Sequence, residues 1–233
     1  MTYAKTQNTA RTEHGSATAA TSRKVFVVHD GWAFSFAADL RKRGMDVAEG
    51  PLLSFANGYD ASALAVIATR PSVTRRDRVR DWVRELCWKG TPLIAVGSAV
   101  RPVAEFFSAL PSGQRVSTST ARLVDVSRNG AALLDGLPAA FRMALPAGER
   151  VDASQLGEEF RTTASSRDGE LIGASHVYRP VHLLHAAAFE TEEVRTKVAQ
   201  NILRLLRERG AVSYTHLTLP TNTVTWGGGW GGG

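Results

Sequence analysis

From Lys24 onward the chain sets short apolar runs against amphipathic stretches. KVFVVH (Lys24 to His29), ALAVIA (Ala63 to Ala68) and PLIAVG (Pro92 to Gly97) are continuous apolar runs of strand length. Runs without alternation fit strands covered on both faces. Phe34 to Arg43 reads as a helix closed by Gly44 in the C-cap role. A second helix runs from Thr74, a capping residue, through Lys89, with Val79, Trp82, Val83 and Leu86 on its apolar face and Gly90 at its end. Val103 to Leu110 is a further helical stretch. The order strand, helix, strand, helix, strand predicts an α/β fold: a three-layer, mostly parallel twisted sheet with helices on both faces.

The second half is richer in strands. ARLVDVS (Ala121 to Ser127), FRTTASS (Phe160 to Ser166), LIGAS (Leu171 to Ser175) and VHLLH (Val181 to His185) are candidates. RDGE (Arg167 to Glu170) reads as a turn with Asp-Gly at its centre. A helix from Glu192 to Arg209 closes the body. Thr191 caps it, Glu192 and Glu193 stand in its first turn, and Val194, Val198, Ile202, Leu205 and Leu206 share one face. Gly210 is expected to end it. Residues 1–23 are rich in Thr, Ala, Ser and Gln without an apolar period, and are expected to form a disordered tail or linker. The predicted domain spans 24–210.

Composition changes this picture little. The chain has 233 residues, 43% of them hydrophobic, enough for one domain with a real core. Cys87 is the single cysteine, so an intrachain disulfide is excluded and a cytoplasmic address is the default. No apolar run approaches the roughly 18 residues of a membrane span. The formal net charge is +6. Residues 1–24 account for +3 of it, from Lys5, Arg11, Arg23 and Lys24 against Glu13. Arg70 to Lys89 is denser, with seven basic and three acidic residues. A solvated basic face is the expected reading, and nucleic acid is not an expected partner, although a basic interaction module stays open as an alternative. No set of His, Cys or acidic residues has metal-ligand spacing, and no cofactor is implied.

In a parallel α/β sheet, chemistry collects at the carboxyl ends of the strands. There the third strand runs into VGSAVRP (Val96 to Pro102). Ser98 on this turn invites comparison with a nucleophile elbow, but that pattern needs glycine two residues to either side, where this chain has Val96 and Val100. PLIAVGSAVRPVAEFF (Pro92 to Phe107) instead resembles the nucleophile segment of class I glutamine amidotransferases, in the flavour of the glutaminase subunit of anthranilate and aminodeoxychorismate synthases. LLDGLPAAFR (Leu133 to Arg142) resembles that family's L-F-x-G-L-P-x-x-F-R. SRDGELIGASHVYRPVHLLH (Ser166 to His185) resembles its D-G-E-I-M-G-x-x-H and final strand, and NILRLL (Asn201 to Leu206) its closing A-N-F-L. The resemblance implies a flavodoxin-like fold.

The departures fall on the chemistry. Where the family's G-x-C-x-G-x-Q places its nucleophile this chain has Gly97, followed by Ala99 and Arg101. The family's H-P-E falls on Ala187, Ala188 and Phe189. Its oxyanion turn falls near ATRPS (Ala68 to Ser72), and its substrate-gripping H-S-L on PAGE (Pro146 to Glu149). Glutamine hydrolysis by that route needs a thiolate, an imidazole to activate it and a carboxylate to orient the imidazole, and Gly, Ala and Phe supply none of these. The resemblance therefore implies a pseudoenzyme in the glutaminase step, with no catalytic residue at Gly97, Ala187 or Phe189. It further implies a structural or regulatory partner of a chorismate-using synthase. The alternative is an active member of the wider superfamily whose chemistry has moved to Ser98, Cys87 or His185. Cys87, beside Trp82 and Trp88, is expected to be a packed thiol. His182 and His185, three apart on a strand, are expected to point to opposite faces. His176 matches a family histidine in a surface strand and needs no catalytic role.

After Gly210 the character changes. Residues 211–233 carry no Lys, Arg, Asp or Glu and end in WGGGWGGG. AVSYTHLTLPT back-translates without a forced mismatch to a transposase-based sequencing adapter. The segment 211–233 therefore resembles adapter read-through and is expected to be non-native.

Overall fold

The computed structural model describes residues 24–29, 35–51, 64–69, 76–107, 116–129 and 132–212. In chain order the elements are β1 (Lys24–Val28), α1 (Ser35–Lys42), β2 (Asp46–Gly50), β3 (Leu64–Thr69), α2 (Arg76–Trp88), β4 (Leu93–Gly97) and α3 (Val100–Phe106). Then come β5 (Val116–Thr118), β6 (Arg122–Arg128), β7 (Ala140–Leu145), β8 (Gly148–Arg150), β9 (Phe160–Ser166), β10 (Leu171–His176), β11 (Val181–Leu184) and α4 (Glu192–Val212). Nine strands form one sheet in the order β2-β1-β3-β4-β11-β10-β9-β6-β7, and β5 pairs with β8 in a separate two-stranded sheet.

The main sheet has two halves. From β2 to β11 every neighbouring pair is parallel, and from β11 to β7 every pair is antiparallel. Successive side chains of a strand point to opposite faces, and the continuous apolar runs feed two cores in this way. Val25 and Val27 of β1 join Ile94 and Val96 of β4 under Phe36 and Leu40 of α1 and Val198 and Ile202 of α4. Phe26 and Val28, with Leu93 and Ala95, meet Trp82, Val83 and Leu86 of α2 and Val103 of α3. Helices thus cover both faces in three layers, as the alternation predicts.

Several boundaries differ from the sequence reading. The third helix starts at Val100 rather than Val103, because Pro102 fits a first helical turn, where the N–H it lacks has no helical partner anyway. Its expected continuation to Leu110 lies outside the described residues. Gly210 does not end the last helix, which runs on to Val212. A single interior glycine costs only about 1 kcal/mol relative to alanine. Strands β2, β5, β7 and β8 were not expected. DVAEG and GER are short and polar, and AFRMAL sits among turn residues. The expected disorder of residues 1–23, the Thr74 cap and the tail beyond Val212 lie outside the described residues.

Gly173 in β10 is a tight point of this packing. A Cβ there would stand 2.8 Å from Thr163 Oγ1 and 3.2 Å from Leu134 Cδ1. The β9–β10 register also shifts on both sides of it. Gly173→Ala is expected to destabilise the fold by about 1–3 kcal/mol, seen as a lower urea midpoint at unchanged m-value. A neutral substitution would contradict this packing.

Candidate functional site

Strands β4 and β11 lie side by side in parallel register, Val181 opposite Leu93 and Leu184 opposite Val96. The next step along each strand brings Gly97 and His185 to the same sheet edge. Gly97 has φ of 61°, the left-handed region that glycine enters without penalty. It turns the chain sharply from β4 into α3, with the Ala99 N–H donating to the Val96 carbonyl at 3.2 Å.

A pocket opens at this edge, about 560 Å³ with its mouth included. Gly97, Ser98 and Val100 form one wall, and Leu184, His185 and Ala186 another. Pro146 to Glu149, the PAGE segment, closes it from above with Val151. The resemblance aligns that segment with the family's substrate-gripping H-S-L, and here it lines the pocket. Ser98 is buried, 8% exposed, on the pocket wall.

His185 is the titratable group deepest in this arrangement. Its Nδ1 accepts the Ala187 backbone N–H at 3.2 Å and so caps the short turn Ala186–Phe189. Its Nε2 lies 3.4 Å from Glu170 Oε1. Glu170, 3% exposed, is in turn ion-paired with Arg122. An imidazole whose Nδ1 accepts a hydrogen bond carries its proton on Nε2 when neutral, and that proton faces Glu170. Burial pushes the His185 pKa down to about 4; Glu190 pulls it up and Arg122 pushes it down, and burial prevails. At neutral pH the ring is uncharged, with both nitrogens facing protein partners.

Arg101, which the resemblance aligns with the family's Gln, is only 2% exposed. Its Nε donates to Glu149 Oε1, and its Nη1 lies 3.9 Å from Glu105 Oε1. Ala187 and Phe189 sit in the core at 0% and 3% exposure, the Phe189 ring 4.6 Å from that of Phe36. They point no functional group at the pocket. The ATRPS segment leaves the described residues after Thr69.

The other candidates lie elsewhere. Cys87 and His176 line a groove with Trp88, Phe107 and Tyr178, among residues at the amino ends of β4 and β11. Burial raises the Cys87 thiol pKa, with a smaller lowering by Arg179, so it is a packed thiol as expected and not an activated one. Trp88, however, is 91% exposed and does not pack on it as a core residue would. His176 does not lie on the surface. It is buried, its Nδ1 accepting the Tyr178 and Arg179 N–H groups at 3.0 and 3.1 Å. Desolvation lowers its pKa, against Glu159. His182 Nδ1 meets Ser175 Oγ at 2.9 Å. The sequence reading missed Glu170, Arg122, Glu149 and the pairing of Arg101. Two signals were present: a lone arginine inside the apolar run AVRPVA, and a glutamate abutting the buried strand LIGAS. Among the described residues no cluster of His, Cys, Asp and Glu could hold a metal. No helix there is long and apolar enough to cross a membrane.

No family model and no curated protein match the chain. Solved structures do match its fold. A protein from Thermoplasma acidophilum, described as a candidate component of GMP synthase, is 18% identical at a TM-score of 0.66, covering 83% of this chain and 98% of that one. A glutamine amidotransferase from Thermotoga maritima is 10% identical at 0.57, covering 83% and 86%. PurLQS from Thermotoga maritima is 14% identical at 0.57, covering 79% and 99%. The chain therefore has a glutamine amidotransferase-like, flavodoxin-type α/β fold.

The depressed His185 pKa sets a pH dependence. Between about pH 6.5 and 4 the unfolded chain takes up a proton at His185 that the folded chain refuses. The stabilisation is intact above about 6.5 and lost as pH falls toward 4, about 3 kcal/mol in all. Urea unfolding at pH 7 and pH 4.5 should show a larger loss of stability in the wild type than in His185→Gln, which keeps only the losses of other groups such as His176. Equal losses would contradict the burial of this ring.

Proposed function

We propose that the chain is a glutamine amidotransferase-like domain that has lost the glutaminase step and serves a synthase as a structural or regulatory partner. The observation that carries this is Gly97. The turn from β4 into α3 keeps a left-handed residue at its apex, φ 61°, and that residue has no side chain to attack a carbonyl. Ala187 and Phe189, where the resemblance puts the family's imidazole and carboxylate, are core residues. His185 is neutral, and both its nitrogens face protein groups. Its lone pair on Nδ1 already accepts a backbone N–H, so it is badly placed to take a proton from a nucleophile.

The partner is the narrower part of the proposal. One similar structure is described as part of a synthase. The resemblance of Leu133 to Arg142 and of Ser166 to His185 to the anthranilate and aminodeoxychorismate glutaminases favours a chorismate-using synthase. Such a synthase would draw on free ammonia or on another glutaminase.

A second reading has one observation in its favour: Ser98 and His185 line the same pocket, with Glu170 behind the imidazole. Relocated hydrolytic chemistry would use these three. Ammonia release from glutamine decides between the readings. The full chain, alone or mixed with anthranilate and aminodeoxychorismate synthase large subunits, is expected to release none above the protein-free control. Release that disappears in both Ser98→Ala and His185→Gln would overturn the proposal and establish the second reading.

A further inference from the structure

The roof of the pocket is fastened differently from its walls. Gly97, Ser98 and His185 are continuous with two inner strands of the main sheet. Pro146 and Ala147 lead from β7, the last strand of that sheet, into β8, which holds Gly148 and Glu149 and pairs with β5 outside the sheet, Thr118 opposite Gly148 and Val116 opposite Arg150. Backbone hydrogen bonds rejoin the body just past the roof. The Leu171 N–H donates to the Val151 carbonyl at 2.8 Å, and the Ala153 N–H to the Gly169 carbonyl at 2.8 Å.

Side-chain ties cross from roof to body. Arg150 donates to Asp168 Oδ2 at 3.2 Å and to the Asp168 carbonyl, on the outer side, where Asp168 is 47% exposed. Another runs from Arg101 to Glu149, spanning 48 residues of sequence. Here the guanidinium side chain is 3% exposed and the carboxylate 19%. A surface pair holds little, because water and salt screen it. A desolvated, charge-assisted pair is strong once formed, and separating it leaves a buried charge uncompensated. The second carboxylate near Arg101, Glu105, sits on the same helix at 3.9 Å, so the guanidinium keeps a partner if Glu149 leaves. That lowers the cost of opening without removing it.

We propose that Arg101 and Glu149 form a latch that holds the 146–149 segment over the pocket, and that a small ligand enters when the latch opens. Glu149 is both a latch partner and a wall of the pocket, so a ligand bearing a cationic or hydrogen-bond-donating group competes with Arg101 for it. Occupancy and roof position are then coupled. The inference concerns access and stands whether or not any chemistry remains in the pocket.

The test uses the full chain with Cys87→Ala and a reporter thiol at Ser98→Cys on the pocket wall. The rate of labelling by a small maleimide reads pocket access, and hydrogen exchange of the 146–151 amides reads the roof. Adding Glu149→Gln is expected to speed labelling and roof exchange by about ten- to a hundredfold, the range for losing one charge-assisted hydrogen bond, while β4 and β11 amides keep their protection. Arg101→Met should do the same. If that variant fails to fold, Glu149→Gln alone decides, because its side chain is partly exposed and the change is isosteric. Labelling and roof exchange unchanged in a folded Glu149→Gln chain would overturn the latch. Faster exchange throughout the sheet would overturn it as well, since the pair would then be a general strut.

Discussion

Strands β4 and β11 run side by side in the same direction and are covered on both faces, and the rest of the site depends on that constraint. Leu93 to Val96 have no exposed surface at all, and Leu183 and Leu184 almost none. Residues locked in this way cannot slip in register without moving a whole apolar set to the wrong face. The carboxyl ends of the two strands are therefore fixed against each other, and Gly97 and His185 meet there whatever side chains they carry. The pocket is a consequence of the sheet, formed where these two strand ends meet.

The polar groups around the pocket form two chains rather than one site. Arg122, Glu170 and His185 lie behind the wall, and Arg101, Glu149 and Glu105 lie beneath the roof. Arg101, buried, and Arg122, half-buried, each have a carboxylate beside them, as low-dielectric surroundings favour. His185 has given its free nitrogen to a backbone N–H and its protonated one to Glu170. A histidine in that setting shapes a turn; as a base it would first have to break the cap.

Much of the frame is legible in the sequence because burial on two faces leaves an unmistakable trace. KVFVV, ALAVIA and PLIAVG contain no polar interruption, and each is a parallel strand. The last helix announces itself through its apolar face at Val194, Val198 and Ile202. The edges are harder to read. DVAEG and GER are short, and their charged side chains make tertiary pairs that leave no apolar periodicity to read. The partner-dependent polar groups are harder still. Glu170, Arg122, Glu149 and Arg101 lie far apart in sequence, and nothing local tells which carboxylate meets which guanidinium. A lone arginine within AVRPVA signals that some partner exists, and only the fold says that it is Glu149. His176 misled for the same reason: its burial comes from Phe107 and Phe160, the former 69 positions away in the chain.

The central proposal is that the turn after β4 presents a left-handed glycine, Gly97, and no nucleophile. The most direct measurement is reaction of the intact chain with an electrophilic glutamine analogue, followed by peptide mass analysis of residues 92–107. The account predicts no covalent adduct on that peptide, with any slow modification confined to Cys87. A stoichiometric adduct at Ser98 that depends on His185 would contradict it and make the pocket an active site.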